Sequence, residues 1–436
     1  MKIHYNNIIL TFVLLGVVTL GQGQTQPLPE TNEKVLHLTL IEALDYANRN
    51  NINIINSGLS VSEAQKRTWE VISAGLPQVS ANVSYQNMMG FKMEFAGMKI
   101  PLEPTSNLQA TVTQLLFSAS YWVGVKMSKI GVGMTETAME QARLDVKQQT
   151  QSAYYAALVT QENLTIMEQN LKNIERIAKS AEDLVRLGVA EQTDADQLKV
   201  QLLTMTNAIK TIERHIELSY NLLRFQLGVD TNTKIVLTQT LEDLMVTKDA
   251  MEMLTKDFDI NSNYTVMLLD GQIDLANMQI SLEKASFLPN VAAFYSYTYK
   301  IKKSTFDMSP NNVVGLQANI PIFSSGQRYV RTQQARINLD KAVNNRELLT
   351  EGLLMQEKQL RFNLKSAIES FELQKEAMSV SQRVFESVTR KFQMGTASSL
   401  DVTTASTSLL QSQGNYINSM MEVLSAQTEL EKLLTQ

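Results

Sequence analysis

The chain has 436 residues, 39 lysines and arginines against 44 acids, a net charge of -5 and no cysteine. That balance argues against a nucleic-acid partner, and the missing thiol removes disulfides, thiolate metal sites, cysteine nucleophiles and a lipid-modified N-terminal cysteine. Only 8 prolines and 18 glycines punctuate it, so long uninterrupted helices are expected.

At the N-terminus, Lys2 and His4 precede an apolar run from Ile8 to Leu20 and then the small polar stretch GQGQTQ. This order predicts a secretory signal over 1–23, cleaved near Gly23, and so an exported chain. The run is shorter than the ~20 residues of a spanning helix, and no later stretch approaches that length. Insertion into a membrane would then have to be by strands.

The remainder reads twice. LPQVSANVSY (76–85) matches LPNVAAFYSY (288–297), QLLFSAS (114–120) resembles NIPIFSSG (319–326), and the glycine turns RLGVAEQTDAD (186–196) and QMGTASSLDV (393–402) follow at nearly equal offsets. The echo predicts a first repeat over 24–228 and a second over 261–436, each running helix, strand, loop, strand, long helix, turn, helix. Between them, 229–260 is rich in Thr and Asn and is expected to mix strand and loop.

Four strands are predicted, about 78–87, 107–117, 290–300 and 312–322. In the first pair Val79, Ala81, Val83 and Tyr85 alternate with Ser80, Asn82 and Ser84, and Leu108, Ala110 and Val112 with Gln109, Thr111 and Thr113. In the second, Val291, Ala293, Tyr295, Tyr297 and Tyr299 share one face, and Val314, Leu316, Ala318 and Ile320 another. A sheet on a soluble core gives the same alternation, but each strand also has the length that crosses an outer-membrane bilayer at a tilt. The loop inside the first pair holds Met88, Met89, Met93 and Met98, which are either adaptable hydrophobes or a thioether set for a soft metal such as copper(I). Trp122 follows as a membrane-interface anchor or a packed junction residue.

Beyond the strands, Leu164, Met167, Leu171, Ile174, Ala178, Ala181 and Val185 are spaced three and four apart, and Leu198, Leu202, Met205, Ile209, Ile212 and Ile216 resume the pattern. In the second half Leu364, Phe371, Met378, Phe385 and Phe392 fall seven apart, then Leu409, Tyr416, Val423 and Leu430, with the small Ala405, Ser412, Ser419 and Ala426 between. These are heptad seams of antiparallel coiled-coil hairpins. Gly188 and Gly395 mark the tips, near 188–194 and 395–401, and Thr193 or Asp194 is expected to cap the helix after the first.

No catalytic constellation emerges. The three histidines, His4, His37 and His215, lack a ligand or nucleophile pattern, so neither an enzyme nor a bound cofactor is expected. The fold class predicted is mainly α with a membrane β-barrel. Four strands cannot close, and open edges in lipid leave backbone groups unpaired, so several chains must share one barrel. Three would give twelve strands, although another small multiple closes too.

The paired LPxV strand starts, the two Phe-Ser strand ends and the tips LGVAEQTD and MGTASSLDV resemble the TolC-like outer-membrane efflux protein family over nearly all of the mature chain. The resemblance implies a homotrimer with a twelve-stranded barrel in outer-membrane lipid and a helical tunnel in the periplasm. It further implies a passive exit duct, for efflux or type I secretion, docked by a periplasmic adaptor and an inner-membrane pump that supplies the energy. Asp194 and Asp401 match the family's tip aspartates, which makes them gate candidates together with Gly188, Thr193 and Gly395. As acid rings they would favour cations; as helix starts they would act as caps. Phe392, Ala397 and Thr404 stand where the best known member has tyrosine, arginine and aspartate, so the familiar gate network is partly missing. The competing class is a non-conducting periplasmic coiled-coil rod or adaptor, which leaves duplicated strand pairs with polar faces unexplained.

Overall fold

The computed structural model describes residues 35–95, 97–101, 103–245, 247–303, 307 and 309–435. The signal segment expected over 1–23 lies outside the described residues. After β1 (Val35–Leu38), helices α1 (Leu40–Asn50) and α2 (Ile52–Ser73) meet at Asn51. Its backbone is extended there, and its side chain accepts from Asn53 N–H at 2.8 Å and donates to the Gln226 carbonyl at 2.7 Å. Next come β2 (Gln78–Gln86), β3 (Lys92–Phe95), β4 (Met98–Pro101), β5 (Thr105–Phe117), α3 (Ala119–Arg186) and α4 (Gln192–Leu227). Then β6 (Lys234–Leu237), α5 (Leu241–Leu244), α6 (Thr247–Met253) and a 3-10 turn lead to α7 (Tyr264–Ala285), β7 (Asn290–Lys302), β8 (Asn312–Asn319), α8 (Gln327–Gln393) and α9 (Ser399–Leu434).

The echo in the sequence is a structural duplication: α2 and α7 have 22 residues each, α3 and α8 have 68 and 67, and α4 and α9 have 36 each. At 1.5 Å per residue α3 alone extends ~100 Å. The strands and the linker depart from expectation in three places. The methionine stretch is not a plain loop but carries the β3–β4 hairpin, with Met93 opposite Ile100 and Met98 opposite Phe95. The fourth strand ends at Asn319 rather than near 322, because Pro321 has no N–H for the ladder. The segment between the repeats is partly helical, and its strand β6 runs parallel to β1, with Leu36 opposite Ile235.

The remaining strands form one antiparallel sheet in the order β2-β5-β7-β8. Its registers sort the side chains. One face carries the rows Val79, Val112, Tyr295, Val314 and Val83, Leu108, Tyr299; the other carries Ser80, Thr111, Ser296, Val313 and Asn82, Gln109, Thr298. The alternation in each strand thus adds up, across the sheet, to an apolar wall backed by one dominated by hydroxyls and amides, with Val313 and Phe294 among its apolar members. On the apolar side Val79, Val83, Tyr299, Val314 and Leu316 are all exposed in the single chain.

The main core lies at mid-length, where β1, β6, α1 and the short helices α5 and α6 wrap α3, α4, α8 and α9 around Tyr154, Leu223, Leu227, Leu364, Leu424 and Leu430. Tyr154 is fully buried, and its hydroxyl donates to the Leu38 carbonyl at 3.1 Å, which ties β1 to the bundle. Burial, then the neighbouring Tyr220, pushes its pKa up to about 12. Tyr155 is pushed up to about 12 by burial and then by Glu431. A tyrosine that titrates higher folded than unfolded stabilises the fold fully below its ordinary value and ceases to as pH rises through the folded value. Stability against denaturant should therefore fall as pH climbs from 10.0 toward about 12. The loss should be shallower in Tyr154→Phe/Tyr155→Phe, which a series of chemical melts across that range would read.

A second core fills the hairpins toward their tips with Ile174, Ala178, Ala181, Leu198, Met205, Phe385, Phe392, Val402, Ala405 and Leu409. Nearly all are the seam positions that the heptad spacing picks out. No helix among the described residues is long and apolar enough to cross a membrane.

Candidate functional site at the hairpin tips

Both long helices stop in the same way. Gly188 (φ 73°) donates to the Val185 carbonyl at 3.0 Å while Val189 donates to Leu184 at 2.9 Å. Gly395 (φ 71°) and Thr396 repeat this to Phe392 at 3.0 Å and Lys391 at 2.9 Å. The paired bonds occupy two carbonyls of each last turn and turn the chain through a left-handed residue. They leave Leu187, Val189, Met394 and Leu400 exposed at the extremity.

The helices that follow begin differently. Ser398 and Asp401 form a reciprocal capping box: the Ser398 N–H and Oγ–H donate to Asp401 Oδ2 at 2.9 and 2.8 Å, and the Asp401 N–H donates to Ser398 Oγ at 3.2 Å. The backbone N–H of Ser398, then its hydroxyl, holds the Asp401 carboxyl below the usual carboxylate range. On the first hairpin the expectation of a Thr193 or Asp194 cap is not met. The cap position is Glu191, with no side-chain cap bond, since α4 starts at Gln192 and places Thr193 and Asp194 inside its first turn. Thr193 Oγ1 instead donates back to Glu191 Oε2 at 3.2 Å.

Asp194 reaches across to the second hairpin, where Ser399 Oγ donates to its Oδ1. Gln197 Oε1 lies 3.0 Å from the same hydroxyl. A hydroxyl has one proton, which goes to the closer carboxylate, so the Gln197 amide can satisfy the serine by turning its NH2 toward the lone pair. Asp401 takes no part in this link. Phe392 is buried in the seam, and Ala397 packs partly against it. Thr404 is exposed and lines, with Val380, Val384, Val388, Leu400 and Asp401, a groove of about 650 Å³ between α8 and α9. The sequence reading did not single out Ser399; its signal was a pair of adjacent serines at a helix start where one suffices as a cap.

Elsewhere, Met88 and Met89 are exposed before the β3–β4 hairpin. Trp122, at the strand-to-helix junction, is exposed and meets Tyr121 edge-on at 5.2 Å. Among the described residues no group of three or more His, Asp or Glu is placed to hold a metal ion.

The family described as outer membrane efflux protein matches this sequence over residues 44–229 and 266–436, one block for each half of the duplication. The chain belongs to that family. This outer membrane efflux protein is 21% identical to outer membrane protein TolC of Salmonella enteritidis, across 98% of this chain and 85% of that one. Its fold is that of the CmeC outer membrane channel of Campylobacter jejuni, with a TM-score of 0.73, 16% identity, and 91% and 85% of the two chains covered. The outer membrane protein VceC of Vibrio cholerae superposes with a TM-score of 0.72, 16% identity, and 91% and 95% covered. The interval between the two matched blocks is the segment that contributes β6, α5 and α6 to the mid-length core.

Proposed function

We propose that this chain is one of three identical protomers of an exit duct in the outer membrane, its four strands completing a twelve-stranded barrel and its helices a tunnel into the periplasm. The observation that carries this is the two-faced sheet whose edges, β2 and β8, pair with no further strand among the described residues. An apolar wall suits lipid, a hydroxyl and amide wall suits water, and free edges in hydrocarbon require further strands from other copies. The helices support the same reading: Val200, Leu203, Leu218, Leu222 and Phe225 on α4, and Leu348, Met355 and Phe362 on α8, remain exposed outside the seams. Those faces fit a neighbouring protomer. A rod that conducts nothing would have no use for the polar wall.

Transport through such a duct is passive, powered by an inner-membrane pump through a periplasmic adaptor that meets the exposed tips. Reconstituted in a planar bilayer, the protein should conduct, run as a heat-sensitive trimer on gels and favour small cations, a preference weakened in Asp401→Asn. A well-folded monomer without conductance would refute the duct.

A further inference from the structure

The sheet face read as lumenal has an interruption that assembly does not explain. Next to the row of Ser80, Thr111 and Ser296, on the side of the helices, comes that of Gln78, Thr113, Phe294 and Gly315, which sets an aromatic ring among hydroxyls and amides. Neither row carries a charge. Of the residues flanking Phe294 on the neighbouring strands, Thr113 on β5 and Val313, Gly315 and Gln317 on β8, only the glycine has no side chain. The ring takes that gap: a Cβ added to Gly315 would lie 2.6 Å from Phe294 Cζ and 2.7 Å from its Cε1. A glycine inside a strand weakens it and marks a place where another group comes close. Here that group is the phenyl ring, laid along the wall and left half-buried.

We propose that Phe294 and Gly315 set the bore of the barrel, and that this level sorts cargo by cross-section rather than by charge. The proposal rests on the duct reading and adds to it a pair that determines specificity. With glycine at 315 the ring lies flat. A side chain there closes the gap, Thr113 closes the other flank, and the ring is driven into the rotamer that stands off the wall into the lumen. A barrel of about eight strands is filled by its own side chains. Twelve strands leave a lumen of modest width, and a ring raised from each protomer at one level narrows it. An aromatic over a strand glycine also shields the backbone, but shielding alone would not alter what passes.

The test uses the full chain in the outer membrane of intact cells, where the absence of cysteine lets one introduced thiol report at a time. Membrane-impermeant maleimides carrying polyethylene glycol of graded size are added outside. From the loop end of the strands, Ser84→Cys lies before the ring and Asn319→Cys beyond it. Gly315→Val should abolish labelling of Asn319→Cys by the larger reagents that reach it in the native background, while the smallest still labels it and Ser84→Cys keeps its full range. Adding Phe294→Ala to Gly315→Val should restore the lost sizes. Should Gly315→Val fail to form the heat-sensitive trimer, Gly315→Ala, whose single methyl already meets the ring, takes its place. An unchanged size limit at Asn319→Cys, or a loss that Phe294→Ala does not restore, refutes the bore pair. If even the smallest reagent cannot label both thiols in the native background, no lumen runs from the loops to the helices, and the duct reading fails, and the bore pair with it.

Discussion

Val314→Arg should abolish stable assembly in the membrane, while Val313→Arg, the same substitution one residue earlier, should leave it intact. Val314 lies in the apolar row with Val79, Val112 and Tyr295 and is 82% exposed in the single chain. Val313 pairs with Ser296 on the polar side, in the row of Ser80 and Thr111. An arginine on a lipid-facing strand position costs up to roughly 2–4 kcal/mol, depending on its depth, and a three-fold assembly would bear that cost three times. On the lumenal face the guanidinium stays in water, and its effect is electrostatic: a ring of positive charge that lowers cation preference. Heat-sensitive oligomers in outer-membrane extracts read the first outcome, and reversal potentials in a salt gradient read the second. Equal assembly of the two variants would mean that the sheet's faces are not divided between lipid and water.

Gly228→Ala should be among the most destabilising single-methyl additions in the chain, far beyond Gly188→Ala. Both glycines have left-handed backbones, φ 68° and 73°, a conformation that costs a residue with a Cβ roughly 1–2 kcal/mol. At the tip nothing lies within 4 Å of an added Cβ, so Gly188→Ala should cost little more than that. Gly228, itself exposed, ends α4 at the margin of the mid-length core, where an added Cβ would run into the Asn50 carbonyl oxygen and lie 3.0 Å from its carbon. The obstacle is backbone, anchored by the Asn51 bond to Gln226, so no rotamer change relieves it. Overpacking of this kind adds about 1–3 kcal/mol. Denaturant midpoints of the two purified variants should separate accordingly, and similar midpoints would show that α1 yields at Asn50.

What the sequence determined by itself about this protein is whatever repeats with a short period. Seam residues such as Ile174, Leu198, Phe385 and Leu409 betray themselves by spacing of three, four and seven. Val79 and Ser80 declare opposite faces by alternation, and Gly188 and Gly395 mark the tips, because helix and strand geometry relates neighbours in the chain. The echo between the halves likewise revealed the duplication. Only the tertiary structure decided the contacts whose partners are remote: β6 beside β1, β7 in register with β5, the Asn51 bond to Gln226, and Ser399 against Asp194. It also shows what each tip aspartate is bonded to, Asp401 to its own cap residue Ser398 and Asp194 to the hydroxyl of Ser399 on the other hairpin. Local periodicity cannot separate two carboxylates that each sit three residues past a cap position. What distinguishes them is the group that the other hairpin brings within reach, and that depends on how two coiled coils from opposite ends of the chain pack side by side.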